Sequence, residues 1–192
     1  MAKSKIYIKK LSDIKDIFLF QKTFNDILGY STVPIEYFQS GECHAMFDGN
    51  EMVAGFCLVK GFENLRSIQQ LPSERISWIR WHHSHLVKNL ADFTGYFIKN
   101  KKYGLKFTIY LVKTCMLHSC RYFVYSYLVT EAGLERYYGA GHPIRVHTGC
   151  PEHLPGHHES MDEEHVEILS KLGIVRIFWY RTKRWIKKKL RF

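Results

Sequence analysis

A chain of 192 residues is long enough for one domain with a full core and short for two. Its 46% hydrophobic and 24% charged residues exclude a disordered or low-complexity protein, and no apolar run reaches the roughly 18 residues of a membrane span. The formal net charge is +10, but eight bases with no acid between residues 174 and 192 leave only +2 for the rest, which speaks against nucleic-acid binding by a basic domain face.

Residues 5–10 alternate apolar and polar side chains and predict a first strand. Ser12 and Asp13 can cap a helix whose stripe runs through Ile14, Ile17, Phe18, Phe20, Phe24 and Leu28, with Gly29 as its stop. Asp48-Gly49-Asn50 between apolar runs at 43–47 and 52–59 predicts a hairpin. Residues 60–75 read as a loop or short helix, and 75–81 alternate like a strand. Residues 92–99 predict a strand, and 100–104 a basic glycine turn. A helix over 105–118 and a strand over 121–129 follow. A short helix over 131–138 is stopped by Gly139 and Gly141. Residues 143–147 read as extended, 147–158 as a Pro/Gly loop, and 162–172 as a helix closing at Gly173. The last segment predicts a final strand over 174–180 and then a mobile basic tail; its alternative is one basic amphipathic helix. The pattern implies an α+β (mixed α/β) domain over residues 1–173 and a C-terminal segment over 174–192, with helices flanking a mostly antiparallel twisted sheet. The five cysteines are odd in number and lack C-x-x-C spacing, which predicts reduced thiols and a cytoplasmic setting. Residues 1–13 carry no apolar signal core.

Two turns carry chemistry. Lys101-Lys-Tyr-Gly104-Leu-Lys106 runs from a strand into a helix, where helix N–H groups and the dipole attract phosphate. Gly133-Leu-Glu-Arg-Tyr137-Tyr-Gly-Ala-Gly141-His142 is a tyrosine-bearing turn after the next strand. Together with the order of elements, these stretches resemble the GNAT superfamily of N-acyltransferases over residues 5–149. The first resembles that family's Gln/Arg-x-x-Gly-x-Gly/Ala loop, departing from it at Lys106. The second resembles its Tyr-x-x-x-Gly-Phe turn, with His142 where Phe is usual.

The resemblance implies transfer of an acyl group from acyl-CoA or acyl-carrier protein to a small amine such as an amino acid. It implies donor contacts at Phe97, Ile98, Lys99, Lys101, Lys102, Tyr103, Gly104, Leu105 and Lys106, with amides near Phe97 and Ile98 holding the acyl carbonyl. Tyr137 becomes the acid for the leaving thiolate. Asp92, Glu42 and the histidines at 82, 83 and 85, among them His82, are the candidate bases. No metal is expected, although Cys150, His153 and His157 have partly metal-like spacing beside His147, His158 and His165. Other readings are a GNAT-like module without catalysis, and a peripheral membrane or nucleic-acid-binding protein acting through the basic C-terminus. A metal hydrolase built on the His/Cys loop is a further one.

Overall fold

The computed structural model describes residues 5–28, 33–150 and 163–189. Strand β1 (Ile6–Lys10) and helix α1 (Ile14–Leu28) lie where alternation and stripe place them. The Lys15 amide donates to Asp13 Oδ1 at 2.8 Å, the local bond expected of a helix start. Helix α2 (Ile35–Gln39) precedes the hairpin of β2 (Gly41–Asp48) and β3 (Glu51–Lys60), whose turn carries Gly49 at φ 62°. Then come α3 (Arg66–Gln69), α4 (Ser73–His82), α5 (Ser84–Val87) and β4 (Leu90–Ile98). Helix α6 (Gly104–Leu117), strand β5 (Tyr122–Leu128), helix α7 (Ala132–Gly139), strands β6 (Ile144–Gly149) and β7 (Glu164–Ser170), and helix α8 (Lys171–Lys189) follow.

Among the described residues seven strands form one sheet in the order β1-β2-β3-β4-β5-β7-β6, antiparallel except between β4 and β5. On one face Phe20 of α1 and Phe38 of α2 pack edge to face, and Phe20 also meets Phe97 of β4. On the other, Phe107 and Cys115 of α6 bury against Phe56 and Phe123.

Three segments differ from the sequence reading. Residues 75–81 lie in helix α4, where only Ile79 is buried. Their apparent alternation comes from exposed aromatics, with Trp81 at 85% exposure. Within the helix read over 162–172, residues 164–170 are strand β7, buried along residues 165–169 between β5 and β6. Covered on both faces, it has no polar side to show, and Glu167 is held inside by Tyr125 at 2.9 Å and Arg145 at 2.9 Å. The final segment is neither strand nor tail: α8 is helical from Lys171 to Lys189. Gly173, read as a stop, is a packing residue inside that helix. A Cβ there would lie 2.7 Å from the Gly141 carbonyl oxygen and 2.5 Å from Leu169 Cδ1. The absent side chain lets α8 rest on the end of α7.

Candidate functional site

Parallel pairing between β4 and β5 lasts three residues, from Leu90↔Tyr122 to Asp92↔Val124, and then the strands part. Beyond Asp92 the β5-facing edge of β4 has no ladder partner, so alternate backbone N–H and C=O groups face the gap. A bulge shapes this edge. Gly55 pairs with Phe97 and Cys57 with Thr94, so Gly95 and Tyr96 stand opposite the single residue Phe56. Gly95 sits at φ 63°, and a Cβ there would touch the Phe20 ring at 3.0 Å. A side chain is therefore excluded both by backbone conformation and by contact.

The gap opens into a cavity of about 830 Å³. Residues 93–96 of β4 and 125–128 of β5 form its walls, and α6, α7 and α8 enclose it. Part of its lining is apolar, with Phe93, Leu111, Cys115, Phe123, Ile174 and Phe178. Another part is polar, with Arg66, Ser67, Gln70, Ser126, Glu131 and Glu164. Gln70 donates to Glu164 there at 3.0 Å.

Tyr137 borders this cavity from α7, half-buried and edge-on to Tyr138 at 5.3 Å. Arg181 of α8 reaches the same place. Its guanidinium donates to Thr108 Oγ1 at 3.3 Å and interacts with the Tyr96 and Tyr137 hydroxyls. The position a Gly104 Cβ would take lies 3.5 Å from Arg181 Nη2. The mouth of α6 and the cleft beside Tyr137 therefore meet at one guanidinium. Sequence reading left Arg181 in the tail. Its signal was present: in a helix it shares a face with Ile174, Ile177 and Phe178, at spacings of seven, four and three.

The lysines expected around the glycine turn point elsewhere. Lys99 pairs with Glu51 at 3.0 Å, Lys102 with Asp48 at 3.5 Å, and Lys106 donates to the Ile6 carbonyl at 3.3 Å. Tyr103 is buried with its hydroxyl on Asp48 at 2.5 Å. Lys101 and Leu105 are exposed. Phe97 and Ile98 pair with β3 and do not line the cavity; residues 93–96 stand at the gap instead, because the strands part just after Asp92. No residue of 101–106 lines the cavity, and Gly104 is linked to it through Arg181.

Four candidate bases, His82, His83, His85 and Glu42, lie outside the cavity lining. His82 is exposed on α4, stacked on Trp78 at 5.2 Å, and His83 and His85 lie nearby on the same outer side. Glu42 on β2 pairs with Lys10 at 3.0 Å and Lys60 at 3.2 Å. Burial raises its carboxyl, and the bonds from Lys10 and Lys60 outweigh that and hold it below the usual carboxylate range.

Asp92 is at the fork of β4 and β5 but fully buried. It accepts from Tyr37 at 2.6 Å, from the Ser67 amide at 3.0 Å and from Ser67 Oγ at 2.8 Å. With both oxygens committed, it ties α2 and α3 to the fork and is not placed to deprotonate an amine. Burial pushes its carboxyl above the ordinary range, against the three donors and nearby Arg66. A raised folded value means its stabilising contribution is complete below the unfolded value near pH 4 and is lost as pH rises through the folded value. Urea unfolding across this range should show the wild type losing stability relative to Asp92→Asn as pH rises. A difference independent of pH would contradict this.

Most of the His/Cys loop falls in residues 151–162, outside the described residues. His165 bonds Thr148 at 2.8 Å between β7 and β6. Among the described residues no group of three or more His, Cys, Asp or Glu could hold a metal.

No protein-family model matches the sequence, and no curated protein matches it. Solved structures match in shape. FeeM, an N-acyl amino acid synthase from uncultured soil microbes, superposes with a TM-score of 0.61 at 10% identity, covering 88% of this chain and 93% of that one. Arabidopsis thaliana NAA60 in complex with acetyl-CoA has a TM-score of 0.58 at 14% identity, covering 86% and 98%. A spermidine N-acetyltransferase from Vibrio cholerae, in complex with CoA and spermine, has a TM-score of 0.53 at 8% identity, covering 88% and 98%. The chain has the GNAT fold.

Proposed function

We propose, starting from the GNAT fold shared with these enzymes, that this chain is an N-acyltransferase moving an acyl group from a phosphopantetheine thioester to a small amine. The carrying observation is the parted β4–β5 edge with Tyr137 and Arg181 on one cavity. The donor is acyl-CoA or an acyl-carrier protein, since both present the same arm. The unpaired edge of residues 93–96 offers backbone partners to its amides and to the acyl carbonyl. The apolar part of the cavity lining suits an acyl chain longer than acetyl. A phosphate near the mouth of α6 meets Arg181, whose fork of donors faces only hydroxyls in the contacts named above.

The acceptor enters at the polar part of the lining, where Arg66 suits a carboxylate and Glu164 an ammonium. Glu164 or a water beside it removes the amine proton. The nitrogen attacks the thioester carbonyl carbon, the amide forms as the carbon–sulfur bond breaks, and Tyr137 protonates the thiolate.

Thiol release from acyl-CoA and acyl-carrier protein, measured against amino acids and polyamines, tests this reading. Release that requires an amine and matches the amide formed is expected; none with any pair would refute it. In the same assay Arg181→Gln should raise KM for the donor about tenfold, leaving KM for the amine unchanged. Equal KM values for donor would remove Arg181 from the site.

A further inference from the structure

Helices α6 and α8 lie side by side and antiparallel. Lys171 Nζ, at the start of α8, donates to the Met116 and His118 carbonyls at 2.9 and 2.6 Å near the end of α6. Ten residues on, Arg181 meets Thr108 near the start of α6. Each helix leaves an apolar stripe in solvent. On α6 these are Leu105, Ile109 and Met116, at 55, 51 and 43% exposure. On α8 they are Leu172, Val175 and Trp179, at 57, 36 and 57%. Spacings of three, four and seven keep each set on one side of its helix. Ile109 follows Thr108 by one residue, about a quarter turn from the seam, and Val175 follows Lys171 by four, on the same side of α8 as that lysine.

Charge is segregated onto the same pair. The two helices hold ten lysines and arginines and no acid. The formal net charge is +10, so all remaining residues balance to zero. Lys183 lies over the Trp179 ring at 5.3 Å, joining cation and apolar surface at one point.

We propose that this two-helix face docks on an anionic lipid bilayer. The stripes enter the boundary between headgroups and acyl chains, and the surrounding bases meet lipid phosphates. Charge alone would suit any anionic partner. An aliphatic and tryptophan surface two helices wide, rimmed by cations, is the combination that a bilayer rewards. A nucleic acid would leave Leu105, Ile109 and Leu172 unburied, and an acidic protein would be held chiefly by salt-sensitive contacts. The same helices wall the cavity through Thr108, Val112, Phe178 and Arg181, which places the mouth for an acyl chain beside the membrane surface. The docking itself does not depend on the proposed reaction.

Co-sedimentation of the full chain with vesicles tests it. Vesicles of phosphatidylcholine with phosphatidylserine should bind at least about tenfold more tightly than phosphatidylcholine alone. The double variant Ile109→Ser, Trp179→Ser should weaken binding by at least about tenfold. Both side chains are exposed, so its unfolding midpoint should match the wild type. Brominated lipid should quench the wild-type tryptophan emission more than that of Trp179→Phe. The proposal is overturned by absent binding, by binding insensitive to the double variant, or by binding only to an acidic protein or nucleic acid.

Discussion

Tyr137→Phe should lower kcat by about a hundredfold or more while leaving KM for the donor nearly unchanged. The removed atom is one hydroxyl that faces Arg181 and the cavity. The aromatic ring keeps its contact with Tyr138, so the unfolding midpoint should not move by more than a degree or so. Stopped-flow thiol release separates the two readouts. If Tyr137 protonates the leaving thiolate, the loss appears in the chemical step, and donors with a more acidic thiol should recover part of the rate. An unchanged kcat would place the acid elsewhere. The contrast with Arg181→Gln, expected to act on donor KM, assigns different work to two groups that touch each other.

Gly173→Ala should destabilise the protein by about 1–3 kcal/mol, through overpacking. The sign is informative, because helix propensity by itself favours alanine over glycine by about 1 kcal/mol. Steric exclusion wins here because one atom in the way is backbone: the Gly141 carbonyl oxygen, 2.7 Å from the added Cβ. Neither rotamer change nor a flexible tip can relieve it, so α8 must lift from α7. At about 2–4 °C per kcal/mol for a chain of this size, the midpoint falls by several degrees. Displacement of α8 also carries Arg181 off the mouth of α6, so donor KM should rise with the loss of stability. A more stable Gly173→Ala protein would show that the two helices do not approach as closely as described.

Local signals announced much of the fold. The Asp48-Gly49-Asn50 turn placed the hairpin, and Phe20 and Phe24 marked the buried side of α1. Gly104 and Tyr137 both reached the neighbourhood of the cavity. Errors fell where tertiary contacts override local preference. Strand β7 carries Glu164, His165 and Glu167, which look like a polar helix face until Arg145 and Tyr125 are seen to satisfy Glu167 inside the sheet. Gly173 reads as a helix stop in one dimension and as a contact in three. The lysine-rich turn suggested a phosphate grip, yet Asp48 and Glu51 draw two of those lysines aside across the sheet. Arg181, the proposed replacement, lies over seventy residues away in sequence and meets Thr108 of α6. The helical form of the C-terminus, the alternative to a strand and tail, brings it there. Asp92 was legible as a special carboxylate on β4; that Tyr37 and Ser67 saturate it depends on loops the pattern does not specify.

Amide hydrogen exchange with and without a long-chain acyl-CoA or acyl-phosphopantetheine is the most direct trial of the split sheet as the donor site. Slower exchange is expected at residues 93–96 of β4 and at the start of α6, where free edge groups would gain partners. Unchanged exchange there at saturating ligand, or protection confined to another part of the surface, would contradict the account.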